Sequence, residues 1–132
     1  MPGEIELARW KRERRRRYFG GLAAEWIAAG WLMLKGYRVL GRRVKTRGGE
    51  IDLITVRGSR IAFIEVKRRR DVMAAEASIL PRQRQRVRRA AELWLRTRPA
   101  FHQHEVGFDV IFLMPWRWPR HIENGLTDHE GR

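Results

Sequence analysis

A glycine turn between two strand-like segments constrains the fold of this chain more than any other feature. The segments are Glu50–Arg57 and Arg60–Lys67, both rich in aliphatic residues, and Gly58-Ser59 connects them. Glycine in the first position of a two-residue connector is what a type II′ hairpin turn requires. The turn therefore predicts an antiparallel hairpin in which Arg57 pairs with Arg60. All further pairs of the hairpin follow from that one.

The predicted register brings four charged side chains to one face of the hairpin. Asp52 faces Glu65 and Glu50 faces Lys67, because side chains alternate between the two faces of a strand. Ile54 shares this face and pairs with Phe63. The opposite face carries Ile51, Leu53, Ile64 and Val66. Since both faces are apolar for most of their length, we expect central strands that helices cover.

Two opposed carboxylates in a half-buried sheet repel each other unless a proton or a cation lies between them. A divalent cation with oxygen ligands fits Asp52 and Glu65, and Lys67 reaches the same place. This set suits metal-dependent phosphodiester hydrolysis, in which the metal activates water and Lys67 orients or deprotonates that water. The alternative is a structural ion-pair cluster, in which Lys67 bridges Glu50 and Glu65.

The remaining pattern predicts two helices and two further strands. Residues 20–35 fit a helix with Leu22, Trp26, Ala29 and Met33 on one face, apolar on most other sides, and ended by Gly36. Glu25 lies on the shoulder of that face, so it must be paired, coordinated or placed at an opening. Strands are predicted at Arg38–Val44 and Val106–Met114, and a second helix at Leu80–Arg96. The order helix, three strands, helix, strand predicts an α/β fold on one mixed central sheet flanked by helices.

The charge of the chain predicts a polyanionic partner. Lys and Arg number 29 against 15 Asp and Glu, a net charge of +14, which favours nucleic acid first and an anionic membrane second. We expect phosphate contacts from an N-terminal run and from the second helix: Arg14, Arg15, Arg16, Arg17, Arg82, Arg84, Arg86, Arg88 and Arg89.

The organisation is that of one domain with two charged ends. We expect a basic N-terminal arm over residues 1–17, a single nuclease-like α/β domain over 18–127 and a polar tail over 128–132. No stretch reaches the roughly 20 apolar residues of a membrane-spanning helix. The absence of cysteine fits a reducing compartment and predicts a cytoplasmic protein.

Two strings in the hairpin carry a family resemblance. GGEIDLI (residues 48–54) and FIEVK (63–67) resemble the bacterial YraN-like family of uncharacterised proteins, and through it the PD-(D/E)XK superfamily. That superfamily has a restriction-endonuclease-like fold and includes the archaeal Holliday junction resolvases. The resemblance implies Asp52, Glu65 and Lys67 as a nuclease triad, Glu25 as a further acidic site residue and Gln83 as a nucleic-acid contact. It also implies Mg²⁺ or Mn²⁺ at Asp52 and Glu65, branched or structured DNA as substrate, and a homodimer.

Several alternatives stay open at this point. A catalytically silent module of the same fold would bind DNA or RNA without a divalent metal. A peripheral membrane protein would use residues 10–34 as a basic amphipathic segment. Trp116 and Trp118 fit stacking on bases, but packing over a sheet edge is favoured for them. Asp109 is expected to cap or pair at the last strand.

Overall fold

The computed structural model describes residues 23–71, 73 and 81–126, with the backbone alone for 81–83. Helix α1, whose described part spans 23–34, comes first. It is followed by β1 (Arg38–Thr46), β2 (Gly49–Arg57), β3 (Arg60–Arg68), helix α2 (Pro81–Arg96), a 3₁₀ turn (Pro99–Phe101), β4 (Glu105–Leu113) and β5 (Arg120–Ile122). The predicted basic arm and polar tail lie outside the described residues.

The five strands form one mixed sheet in the order β1-β2-β3-β4-β5. β1, β2 and β3 make an antiparallel meander, β4 runs parallel to β3 after the α2 crossover, and β5 is antiparallel to β4. Gly58 has a φ of +58° while Ser59 has a negative φ, as the predicted type II′ turn requires. The predicted α/β order is confirmed and is consistent with a restriction-endonuclease-like core.

The two helices cover opposite faces of the sheet and build two apolar cores. The α2 core contains Ile54, Ile61, Phe63, Val87, Ala90, Ala91, Trp94, Val110 and Phe112. The α1 core contains Ala28, Ala29, Leu32, Tyr37, Leu53, Ala62, Ile64 and Ile111. The middle strands therefore have apolar side chains on both faces, which is why their sequence is almost continuously hydrophobic.

Helix α1 presents a different face to the sheet from the one its periodicity predicts. Its buried side chains are Ala24, Glu25, Ala28, Ala29 and Leu32. Trp26 and Met33 of the predicted stripe are exposed, as are Ile27 and Leu34, so the expected cover on most sides is wrong for the described residues. Alanines let the helix axis approach the sheet closely, and Trp26 lies outside instead, 3.8 Å from the Arg42 guanidinium. Within the described part of the chain, no helix has the length and apolar character to cross a membrane.

A buried polar network surrounds Asp109, which lies two residues before Ile111 of the α1 core. This carboxylate is fully buried and accepts two hydrogen bonds from Arg60, at 2.9 and 2.7 Å. His121 Nε2 lies 2.7 Å from its second oxygen, and the Asn124 N–H donates to its first at 2.8 Å. The expectation that Asp109 pairs at the last strand is confirmed. His121 lies on β5, the short strand that the sequence did not reveal.

Candidate active site

The candidate site lies where β2 and β3 separate. Their pairing runs from Arg57–Arg60 to Leu53–Ile64, as predicted, and stops there. In place of the next ladder bond, the Val66 N–H donates to Asp52 Oδ2 at 2.8 Å. Beyond this point β2 stays paired with β1 as far as Thr46–Gly49, and β3 stays paired with β4 as far as Arg68–Leu113. We call this opening between the two strands the fork.

The fork corrects two details of the predicted hairpin. Asp52–Glu65 and Glu50–Lys67 are not ladder pairs, because the Asp52 carboxylate takes the N–H that would continue the ladder. Ile51 packs in the α2 core whereas Leu53 packs in the α1 core, so strict alternation fails at Asp52 between them. The interrupted ladder brings the Asp52 carboxylate into the space between the strands.

The four predicted site residues line one cleft of about 1050 Å³ at the fork. Glu25 comes from the first described turns of α1, Asp52 from β2, and Glu65 and Lys67 from β3. Asp52 and Glu65 also line a smaller pocket of about 120 Å³ with Glu50 and Arg86, on the α2 side. The structure thus brings together every residue predicted for the catalytic set.

Lys67 is almost completely buried although it carries a charge. Its side chain is 4% exposed, and its Nζ lies 3.4 Å from Glu65 Oε1. This is the contact that the ion-pair alternative predicted for Glu65. Glu50 lies instead 3.8 Å from Arg43 Nε through its Oε1. The Lys67 ammonium therefore lies beside a carboxylate inside the cleft.

Burial raises the pKa of Asp52 to about 6, and the neighbouring Glu65 and Glu50 act in the same direction. The Val66 N–H and Lys67 act in the opposite direction, because both favour the ionised carboxylate. The pKa of Glu25 is also raised, first by burial and then by the charge of Asp52, against Arg43 and Arg42. These two carboxyl groups therefore share a place that disfavours two negative charges.

Two carboxylate oxygens in the cleft are buried without a hydrogen-bond partner in the described structure. They are Glu25 Oε2 and Glu65 Oε2, although Arg43 Nε lies 3.8 Å from the former. An unsatisfied buried carboxylate oxygen is costly, and a cation with oxygen ligands satisfies it. The donor set therefore fits a divalent cation. Among the described residues, no three His, Asp or Glu side chains lie close enough together to form a metal cluster.

The arginines that were predicted to contact phosphate lie at different places on the molecule. Arg86 lines the pocket beside Asp52 and Glu65, and Arg89 lies against Gly48 at the β1–β2 turn. Arg88 lies 5.6 Å from the Phe108 ring, and Arg84 is partly buried. Arg82 and Gln83 belong to α2, but their side chains lie outside the described residues, as do Arg14 to Arg17. Three further arginines line the cleft although the sequence did not predict them as phosphate contacts: Arg68 at the end of β3, and Arg69 and Arg70 directly after it.

The two tryptophans of the loop after β4 are more exposed than the sequence predicted. Trp116 is fully exposed and Trp118 is 78% exposed, so packing over a sheet edge does not describe either. The Trp118 ring stacks on that of Trp31 with centroids 5.5 Å apart. Pro115, directly before Trp116, lines the cleft.

Comparison with known proteins gives matches along most of the chain. The model of the uncharacterised protein family UPF0102 matches residues 24–113, a range that holds all four cleft residues. A UPF0102 protein of Methylorubrum extorquens is 51% identical over 114 residues, which cover 86% of this chain and 89% of the relative. One of Mesorhizobium japonicum is 46% identical over 113 residues (86% and 90%), and one of Bartonella bacilliformis 38% over 120 residues (91% and 98%). The predicted resemblance to the YraN-like family is confirmed, and these names state no activity.

Proposed function

Because this chain belongs to the uncharacterised protein family UPF0102, its function has to be argued from its own site, and we propose that it is a nucleic-acid-binding, metal-dependent endonuclease. The proposed substrate is branched or otherwise structured DNA, and the proposed site is the cleft at the fork. Asp52 and Glu65 are its metal ligands, Lys67 is its water-activating group, and Glu25 assists.

One observation carries this proposal. Glu25 and Glu65, which line the cleft with Asp52 and the buried Lys67, each have one buried carboxylate oxygen without a hydrogen-bond partner. A chain gains nothing in stability from such an arrangement, since each carboxylate loses water and repels the next. Sites of this kind are retained where a ligand restores the lost interactions, and here the ligand is a cation.

The cleft residues have separate roles in this proposal. Bound Mg²⁺ would supply charge stabilisation at the scissile phosphate and a more acidic water. Two protein carboxylates are sufficient, since Mg²⁺ keeps several waters and uses phosphate oxygens as further ligands. Lys67, whose Nζ lies 3.4 Å from Glu65 Oε1, orients the attacking water and, as the neutral amine, takes the proton that this water gives up. Arg68, Arg69 and Arg70 along the cleft offset the phosphate charge.

The test is a cleavage and binding assay on matched DNA substrates. Labelled duplex, single-stranded, flap and four-way-junction DNA are incubated with Mg²⁺, Mn²⁺ or EDTA. We expect metal-dependent cleavage of branched DNA, at least 100-fold slower in Asp52→Asn, Glu65→Gln and Lys67→Ala, since each removes a group that acts in the reaction. Lys45→Ala and Glu92→Gln are controls, because both residues are exposed and outside the cleft.

The outcomes separate the alternatives. Binding without cleavage, together with no effect of Mn²⁺ on the melting temperature, supports a catalytically silent module. A stability loss in Lys67→Ala without any metal effect supports the ion-pair cluster. Preference for anionic vesicles over all DNA substrates supports the peripheral membrane alternative. Each of these results contradicts the nuclease proposal.

A further inference from the structure

The turn after β4 holds a tryptophan in a conformation and a place that its packing does not explain. The Arg117 N–H donates to the Met114 carbonyl at 3.4 Å, which closes a four-residue turn over Met114–Arg117. Pro115 occupies the second position of this turn and Trp116 the third, with a φ of +63°. Proline second and a positive φ third define a type II turn, whose third position favours glycine.

A bulky side chain with positive φ is an outlier that the chain retains at a cost. Trp116 recovers nothing for this cost by burial, because its side chain is fully exposed. Its position is nevertheless fixed at one end, since Met114 is buried in the α2 core and lines the cleft together with Pro115. The indole therefore faces solvent directly after two residues that line the cleft.

The surroundings of Trp116 complement a nucleic-acid strand. Arg117, the next residue, is exposed, and so is Arg120 at the start of β5. Arg68, the last residue of β3, and Arg70 are also exposed, and both line the cleft. Trp118, two residues further on, is held against Trp31. An exposed aromatic ring among arginines is the combination on which unpaired bases stack while their phosphates are neutralised.

We propose that Trp116 is a stacking site for an unpaired nucleobase at the rim of the cleft, so that a strand leaving a duplex is held next to Glu65 and Lys67. This inference rests on the proposed function, since it concerns the substrate of the same cleft. It adds that an unpaired base, and not the phosphates alone, determines which DNA is bound.

The test compares two DNA duplexes that differ only in the bases of a single-stranded overhang. One overhang carries bases, with 2-aminopurine at the first unpaired position, and the other has the same length but is abasic. Both have the same phosphate charge, so the ratio of their Kd values reports stacking. Binding is measured by fluorescence anisotropy in EDTA, which prevents cleavage. We expect the wild-type protein to prefer the overhang with bases by roughly 5- to 100-fold, and to quench 2-aminopurine.

Trp116→Gly is the decisive variant, because glycine suits the φ of this position and the fold is preserved. We expect an unchanged or higher melting temperature, equal Kd values for the two overhangs, and loss of the 2-aminopurine quenching. Trp116→Phe keeps an aromatic ring and should keep most of the preference. Trp26→Ala is the matched control, since it removes an exposed indole from α1 and should leave the preference intact.

The results distinguish the two proposals. If Trp116→Gly keeps the preference and the quenching, the stacking proposal is wrong while the nuclease proposal stands. The same conclusion follows if the variant weakens binding to both overhang duplexes by the same factor. The same holds if the wild-type protein binds both overhangs with equal affinity. If it binds neither, both proposals are overturned.

Discussion

At the scale of single residues, the Asp52 carboxylate decides how the site is built. Its hydrogen bond from the Val66 N–H ends the β2–β3 ladder, and burial together with two neighbouring glutamates disfavours its charge. Asp109 has the opposite environment. Burial alone would raise the pKa of this carboxyl, but His121, Arg60 and the Asn124 N–H together hold it at about 2. Asp52 thus lies among excess negative charge, whereas the charge of Asp109 is fully compensated by its partners.

Asp52→Asn should stabilise the protein at neutral pH, because asparagine can still accept the Val66 N–H but carries no charge. Because the pKa of Asp52 is raised from 3.8 to about 6, its ionisation costs stability that grows from pH 4 to 6 and is complete above pH 6. We expect a gain of about 1–2 kcal/mol at pH 7.5 after solvent screening, which shrinks as the pH falls from 6 to 4. Urea unfolding at pH 7.5, 5.5 and 4 measures it, and a gain that does not change with pH contradicts this explanation.

Asp109→Asn should destabilise the protein strongly. The Arg60 side chain is 12% exposed and would keep its charge without its carboxylate partner. Removal of one member of a buried ion pair costs about 3–5 kcal/mol. Since the pKa of Asp109 is lowered to about 2, its stabilisation is complete above pH 4 and is lost as the pH falls toward 2. Thermal melts at pH 7 measure the loss, with the exposed Glu105→Gln on the same strand as control. Equal melting temperatures for the two variants contradict the prediction.

At the scale of helices and strands, the features that follow from local sequence rules were predicted correctly. The Gly58-Ser59 turn determined the register as far as Leu53–Ile64, and Gly36 ended α1 with a φ of +90°. The fork was not predictable, because it results from a side chain that competes with the backbone for one N–H. The buried face of α1 was misread because hydrophobicity alone favours Trp26 over alanine, whereas close packing on the sheet favours alanine.

The candidate site was predictable from the sequence, whereas the partners of Asp109 were not. Asp52, Glu65 and Lys67 lie on two adjacent strands just beyond the last register pair, Leu53–Ile64, so the hairpin alone brings them close together. Arg60, Asp109 and His121 come from three strands, and β5, which carries His121, has only three residues. A strand that short has no periodicity, and its partner is set by the fold as a whole.

Two glycines test the packing of these elements. A Cβ on Gly107 would overlap the guanidinium of Arg60, which Asp109 holds in place. We expect Gly107→Ala to lower the free energy of unfolding by about 2–3 kcal/mol, because the guanidinium has to move. A Cβ on Gly30 of α1 would have no atom within 4 Å, so Gly30→Ala should raise stability by roughly 0.5–1 kcal/mol. Chemical denaturation measures both, and the same sign for the two variants contradicts the structure.

At the scale of the whole molecule, the net charge of +14 determines how binding depends on salt. If six to eight phosphates are neutralised, log affinity for duplex DNA should fall with log salt at a slope of roughly −5 to −7. Deletion of residues 1–17 should make the slope shallower without abolishing binding, because the cleft keeps its own arginines. Titrations across a range of salt concentrations measure the slope, and a slope near zero contradicts nucleic-acid binding.

The connection of the strands also has a consequence for the order in which the protein folds. β1, β2 and β3 are consecutive and joined by tight turns, so they can pair within microseconds of one another. β4 reaches β3 only after the α2 crossover, and this distant parallel contact is slower to form. We therefore expect the meander to bring Asp52 and Glu65 near each other while both are still in water, where their repulsion is small. The last step of folding, the arrival of β4 and α2, would then be the one that removes this water, and a divalent cation should accelerate that step and no earlier one.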